Sequence, residues 1–172
     1  MLKRIFITAA AVFVLGQGLP ASAADSWGLE GEQEATIEGK VVDVLCELTK
    51  DCPQQCGAGK RQLGIKTAKN ELVIVGKDTV AFGGATLDLL PFCGKDVVAD
   101  GLFTERFATK MYVAQNVKAK GAKEFTEANA FIGQWAKANK VKPDGDEAEE
   151  WFRHDSTVAK TLAKGGKLGV PE

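Results

Sequence analysis

Between residues 35 and 118 the apolar side chains recur at every second position in short runs, and the order of those runs restricts the fold more than any other feature of the chain. Ala35 to Leu45 predicts one long strand: Ile37, Gly39 and Val41 share a face, and Val42 and Val44 share the other. Gly39 stands where a bulge could exchange the inward face. Leu63, Ile65 and Thr67 alternate, Lys69-Asn70 reads as a turn, and Leu72 to Val75 completes a hairpin over 62–75. Residues 78–92 lose the alternation. Leu87, Leu90 and Pro91 predict a short helical turn there, weakened by Gly83-Gly84. Val97, Ala99, Gly101 and Phe103 alternate again, as do Met111, Val113 and Val117, with Thr104 to Lys110 joining them into a second hairpin.

Strand, hairpin, short helix, hairpin is the order of the OB-fold, a five-stranded Greek-key barrel. The expected fold class is mainly β: a five-stranded OB-fold-like barrel over residues 35–118, behind a polar lead-in at 24–34 that carries Trp27, with a C-terminal helical appendage at 119–172. Lys118, Lys120, Lys123 and Gly121 mark a linker over 118–125. Thr126 is expected to cap a helix of about 14 residues, with Phe131, Trp135 and Ala138 on one face. Pro143 and Gly145 end it. Asp146 and Glu149 have the spacing of a capping box for a further turn bearing Trp151 and Phe152. Ser156 is expected to cap a last helix through Lys164, closed by Gly165-Gly166.

Residues 1–23 read as a cleavable secretory signal. Lys3 and Arg4 precede an apolar run from Ile5 to Leu15, Pro20 breaks it, and Ala21-Ser22-Ala23 offers the small residues a signal peptidase requires. The run is too short for a comfortable membrane span. Cleavage would leave 149 of the 172 residues, starting at Ala24, and remove two of the 22 basic side chains but none of the 23 acidic ones, so the net charge moves from −1 to −3. The expected location is the periplasm or the exterior, with no membrane association after cleavage. A chain of this charge lacks the basic excess that drives binding to phosphate backbones, so no nucleic-acid partner is expected.

The four cysteines, Cys46, Cys52, Cys56 and Cys93, all follow the signal. In an oxidising compartment an even number favours two disulfides, with three pairings possible. The end of strand one and the entry to strand four can lie close in such a barrel, so all four sulfurs are expected in one region. The pairing expected is a structural Cys46–Cys93 and a labile Cys52–Cys56. The alternative is a thiolate site for copper(I) or zinc built from Cys46, Cys52, Cys56 and Cys93, although the C-x3-C spacing differs from the usual zinc pair. A redox role is the third reading; the spacing is not the thioredoxin-type C-x2-C.

The segments "GKVVDVLC" at 39–46 and "FCGKDVVADGLF" at 92–103, with the pair Cys52 and Cys56 between them, resemble a group of small exported bacterial OB-fold proteins with a Cys-rich loop, mostly of unassigned function. The resemblance spans residues 36–118 and implies the fold and the export, but no activity. In some relatives a histidine accompanies the loop cysteines. Here none does, which weakens the carry-over of a Cys/His metal site.

No acid, base and nucleophile converge on one place. His154, the only histidine, sits in the tail between Arg153 and Asp155 and reads as a surface residue, so a Ser-His-Asp triad within the barrel is excluded unless the tail folds over it. Asp144, Asp146, Glu147, Glu149 and Glu150 read as a solvated helix start, without the ligand pattern of an EF-hand. Trp135, Trp151 and Phe152, with Phe131, are expected to pack against the barrel or, failing that, to form a docking surface for a partner. The chain is thus expected to be a non-enzymatic exported module that binds a protein or small ligand, with no cofactor and with mainly structural cysteines. The alternatives are a metal-handling protein and a redox accessory factor of an exported enzyme.

Overall fold

A computed structural model describes residues 24–28, 30–77 and 85–165. The expected signal at 1–23, Gly83-Gly84 and Gly166 lie outside the described residues. The strands are β1 (Glu32–Asp43), β2 (Leu63–Thr67), β3 (Leu72–Gly76), β4 (Asp96–Arg106), β5 (Thr109–Ala119) and β6 (Thr126–Glu127). The helices are α1 (Val44–Thr49), α2 (Thr86–Leu89), α3 (Ala130–Asn139), α4 (Asp146–Glu149), α5 (Trp151–His154) and α6 (Ser156–Gly165), with 3-10 turns at Gln54–Gly57 and Leu90–Phe92. The sheet order is β3-β2-β1-β4-β5-β6, and a parallel pairing of β3 with β5, Val75 opposite Tyr112 and Gly76 opposite Val113, closes β1 to β5 into a barrel. The architecture is the expected OB-fold-like barrel with a helical appendage.

β1 serves both halves of the barrel. Residues 32–40 pair with β4 and residues 39–43 with β2, so Gly39 faces Val97 on one side and Thr67 on the other. A Cβ there would lie 2.4 Å from the Lys66 carbonyl oxygen, which only glycine avoids. The expected exchange of faces at Gly39 does not occur: Ala35, Ile37 and Val41 all turn toward the core. Val42 and Val44 are buried for a different reason. Val42 stands opposite Gly64, and the missing Cβ of Gly64 lets the Val44 methyl of α1 settle over the outside of the sheet. The bulge falls instead between β4 and β5, where Asp100 faces Asn116 but Gly101 faces Ala114, leaving Gln115 as the extra residue.

β1 begins at Glu32 and ends at Asp43, earlier at both ends than the expected 35–45. Asp43 stops it by accepting backbone hydrogen bonds from Leu45 (2.9 Å) and Cys46 (3.1 Å), which caps α1 where a loop was expected. The core is formed by Val41, Leu63, Ile65, Val75, Val97, Ala99, Tyr112 and Val117, with Leu89 of α2 plugging one end. The buried Tyr112 hydroxyl sits 2.7 Å from the Ala35 carbonyl oxygen and 2.9 Å from that of Ala99, linking β5 to β1 and β4. Burial, with the Asp100 carboxylate adding to it, pushes this phenol far above its ordinary titration range.

The tail departs most from expectation. Thr126 enters β6, paired to β5, and α3 starts only at Ala130. The donor at that start is satisfied from another element: Asp88 of α2 accepts from the Ala130 N–H at 2.8 Å. The capping box at Asp146 and Glu149 does not form, since Gly145 stands at the cap position. α6 is capped by Asp155, one residue before Ser156, through the N–H groups of Thr157 (2.8 Å) and Val158 (3.0 Å). The tail aromatics do not pack into the barrel. Ile132, Trp135, Ala136 and Ala148 form a separate small core flanked by Val141 and Trp151. Phe131 and Trp135 meet Trp151 edge-on at 4.7 and 6.4 Å. Three helices facing one another bury these rings better than the strongly curved barrel wall could.

Candidate functional site

Two places gather chemically versatile groups: the loop between β1 and β2, and a cleft between barrel and tail. In the loop, Cys46 pairs with Cys52 and Cys56 with Cys93. The four sulfurs do share one region, but the pairing expected from the sequence, Cys46–Cys93 with Cys52–Cys56, is overturned. The reason is local. Because α1 carries Cys46 off the end of β1, its sulfur no longer points along the strand. Lys50, at φ 65°, reverses the chain and donates its N–H to the Cys46 carbonyl, so Cys52 returns alongside Cys46. Gln55 and Cys56, at φ 51° and 48°, then turn the chain again and aim Cys56 at the barrel. Cys93 waits there, bridged to Val41 of β1. With every cysteine in a disulfide, none of the four sulfurs is a thiolate in this structure. Two disulfides suit an oxidising compartment.

The cleft has a volume of about 770 Å³ and draws its walls from distant parts of the chain. The lead-in contributes Asp25 and Trp27, β5 contributes Gln115 and Asn116, β6 contributes Glu127, and the tail contributes Ile132, Asp144 and Glu149. The lead-in is held down by the bulge residue: Gln115 Oε1 accepts from the Asp25 N–H at 2.7 Å, and Gln115 Nε2 donates to the Asp25 carbonyl at 2.8 Å. Trp27 is fixed by its N–H donating to Glu32 Oε1 at 2.6 Å. Thus the lead-in is clamped to the barrel.

Lys77 is the one cation among the described residues that line the cleft, and it is already engaged. Its ammonium lies 3.3 Å from Asp88 Oδ2 and donates to the Ala128 carbonyl. Asp88 in turn holds α3 through Ala130, so Lys77 and Asp88 together fix the far wall. Four carboxylates, Asp25, Glu127, Asp144 and Glu149, therefore face the cleft with no free cation among the described residues that line it. In OB-folds the face of strands two and three commonly takes the ligand. Here α1 covers part of that face, leaving Leu48 and Ile74 exposed beside it.

Among the residues singled out in the sequence, Trp135 is buried in the tail core, Trp151 is half-buried against it, and Phe152 is half-buried beside Trp151. His154 is exposed on α5 and is not among the residues lining the cleft. Of the acidic run, Asp144 and Glu149 reach the cleft. Asp25, Lys77, Asp88 and Gln115 carried no motif. The only signal in the sequence was one aspartate inside an otherwise apolar turn, Leu87-Asp88-Leu89. Among the described residues no helix is long and apolar enough to cross a membrane. No family model, curated protein or solved structure matches the chain.

Proposed function

We propose that this is an exported, non-enzymatic binding module of the OB-fold type, akin to the small exported bacterial proteins it resembles, and that the cleft between barrel and tail takes a positively charged small ligand. The observation that carries the reading is the composition of the cleft: four carboxylates, a tryptophan face, and one lysine already engaged by Asp88. Such a wall attracts ammonium or guanidinium groups, which the indole face can also receive. It repels phosphate, in keeping with the acidic mature chain. The signal-like residues 1–23 and the two disulfides support export. Titration of the ¹⁵N-labelled protein with spermidine, and with glucose as an uncharged control, tests the reading. Spermidine should shift the Trp27 indole and the Gln115 and Asn116 side-chain amides, weakly at high salt because these charges are screened. Glu127→Gln should weaken binding by about threefold, the usual effect of one exposed charge pair. Absence of shifts, or shifts centred on residues 44–61, would reject the cleft as the ligand site.

A further inference from the structure

The two disulfides sit in unlike surroundings. Cys56 packs against the barrel core and ties the loop to Cys93 beside β1. Cys52 is exposed, whereas Cys46, Cys56 and Cys93 are each half-buried, Cys46 next to Asp43 in the chain of α1. Asp43 is only 4% exposed. Its Oδ1 accepts the N–H groups of Leu45 and Cys46, while its Oδ2 is buried without a hydrogen-bond partner. A buried acceptor lacking a donor raises the free energy of the state that contains it. The Cys46 nitrogen that Asp43 holds is three covalent bonds from the Cys46 sulfur. The Asp43 carboxylate is therefore held next to Cys46 through the backbone that carries the sulfur.

Other charges complete the setting. Arg61 contacts Asp51 at 2.6 Å, and its Nη1 is also buried without a partner. Asp51, with Asp43 adding to it, keeps that guanidinium firmly protonated. Gly57 packs so closely on Arg61 that a Cβ would lie 2.2 Å from its Cγ, which fixes the arginine beneath the loop. Glu47 of α1 pairs with Lys66 at 2.8 Å, and Lys50 donates to the Glu47 carbonyl.

We propose that Cys46–Cys52 is a thiol–disulfide exchange site that accepts two electrons from a partner dithiol, with Asp43 as the group that exchanges a proton with Cys46. A thiolate of the partner attacks the exposed Cys52 sulfur. The Cys46–Cys52 bond breaks, and Cys46 leaves as a thiolate. The second thiol of the partner, once deprotonated, attacks the partner's own sulfur in the mixed disulfide and releases Cys52. The partner ends as a disulfide, and the two protons its thiols lose are taken up at Cys46 and Cys52. In the reverse direction the Asp43 carboxylate takes up the Cys46 proton as the attacking thiolate forms. Cys56–Cys93 stays closed throughout and holds the loop. This inference does not depend on the ligand of the cleft.

Timed reduction of the exported protein by dithiothreitol, quenched by alkylation and followed by peptide mapping, tests it. Cys46 and Cys52 should become labelled together, at least about tenfold faster than Cys56 and Cys93, while the strand signal in circular dichroism is retained. Simultaneous labelling of all four, prior labelling of Cys56 and Cys93, or resistance of both pairs until the barrel unfolds would overturn the proposal. The role of Asp43 is read from the reduced protein. Asp43→Asn keeps an oxygen that can cap α1 but removes the charge, so the inflection in the pH profile of reoxidation by oxidised glutathione should move to lower pH. An unmoved inflection would reduce Asp43 to a helix cap and remove it from the mechanism. The labelling order in the wild-type protein decides the exchange site even if the variant does not fold.

Discussion

The pairing of Lys77 with Asp88 is where barrel and tail are most exposed to a single substitution. Both side chains are buried, at 10% and 3% exposure, and the ammonium and carboxylate lie 3.3 Å apart. Asp88 also accepts from the Ala130 N–H at the start of α3. Asp88→Ala would leave Lys77 as a buried cation with the Ala128 carbonyl for company. Removing one member of a buried ion pair costs about 3–5 kcal/mol. The stranded N–H adds to the same loss, not on top of it, because both arise from one missing carboxylate. Asp88→Asn keeps an oxygen for Ala130 and should cost about 2 kcal/mol, nearer the cost of one charged hydrogen bond. Urea unfolding can separate the parts: in a Trp27→Phe background the fluorescence reports Trp135 and Trp151, and far-ultraviolet circular dichroism reports the strands. The Asp88→Ala fluorescence transition should move to lower urea and precede the loss of strand signal. A cost below about 1 kcal/mol, or two transitions that remain superimposed, would refute the idea that this pair is the main tether.

Two further outcomes follow from single residues. Asp155 caps α6 and accepts from the Trp135 indole at 2.9 Å, and those hydrogen bonds, that from Val158 foremost, hold its carboxyl below the ordinary value. A depressed carboxylate contributes stability above its unfolded pKa, about 4, and loses it as pH falls through the folded value. α6 should therefore loosen in acid before the barrel does, and hydrogen exchange at Val158 and Ala159 as pH falls from 6 to 3 should show it; uniform protection across that range would contradict it. At the β4–β5 turn, Phe107 and Ala108 both hold left-handed backbone, at φ 53° and 57°, and Phe107 is 88% exposed. Phe107→Asn with Ala108→Gly supplies the residues that such a two-residue turn favours. The double variant should gain about 1 kcal/mol in chemical denaturation, and a loss of stability would mean that the Phe107 ring has a packing role.

What the sequence revealed was whatever depended on period and order. The alternation from Leu63 to Val75 and from Val97 to Phe103 placed three of the strands, because a residue facing the barrel interior must be apolar whatever surrounds it. Along β5 the expected face of Met111, Val113 and Val117 is corrected: Tyr112 and Ala114 join Val117 in the core, because the bulge at Gln115 exchanges the faces between them. What it concealed depended on contacts between distant residues. Thr126 looked like a cap because Thr, Ser and Asp cap helices locally. Yet α3 is capped by Asp88, 42 positions away, and Thr126 was free to extend the sheet. The tail aromatics lay on helical faces that could have met any apolar surface, and periodicity alone cannot say that the surface is one another. The cleft was hidden for the same reason. Asp25 and Gln115 are 90 positions apart and meet only because a bulge at Gln115 turns its amide outward.

The cysteines show where that boundary runs within a single loop. Their gathering at the end of β1 follows from barrel topology, since Val41 and Cys93 are neighbours once β1 pairs with β4. Their pairing follows from backbone angles at Lys50, Gln55 and Cys56, all non-glycine residues with positive φ, which no propensity argument would have placed there. The expected pairing put the structural link on Cys46 because β1 was drawn through to Leu45. Two residues of strand were enough to mislead: once Asp43 caps α1, Cys46 belongs to a helix on the rim and Cys56 is the cysteine left facing the barrel. The roles are thereby exchanged. The bond to Cys93 anchors the loop through Cys56, and the bond with an exposed sulfur passes to Cys46 and Cys52, on the helix that Asp43 caps. A labile pair was expected from the tight spacing of Cys52 and Cys56. That pair does not form, and the exchange site proposed at Cys46 and Cys52 rests instead on the exposure of Cys52 and on the Asp43 carboxylate that caps α1.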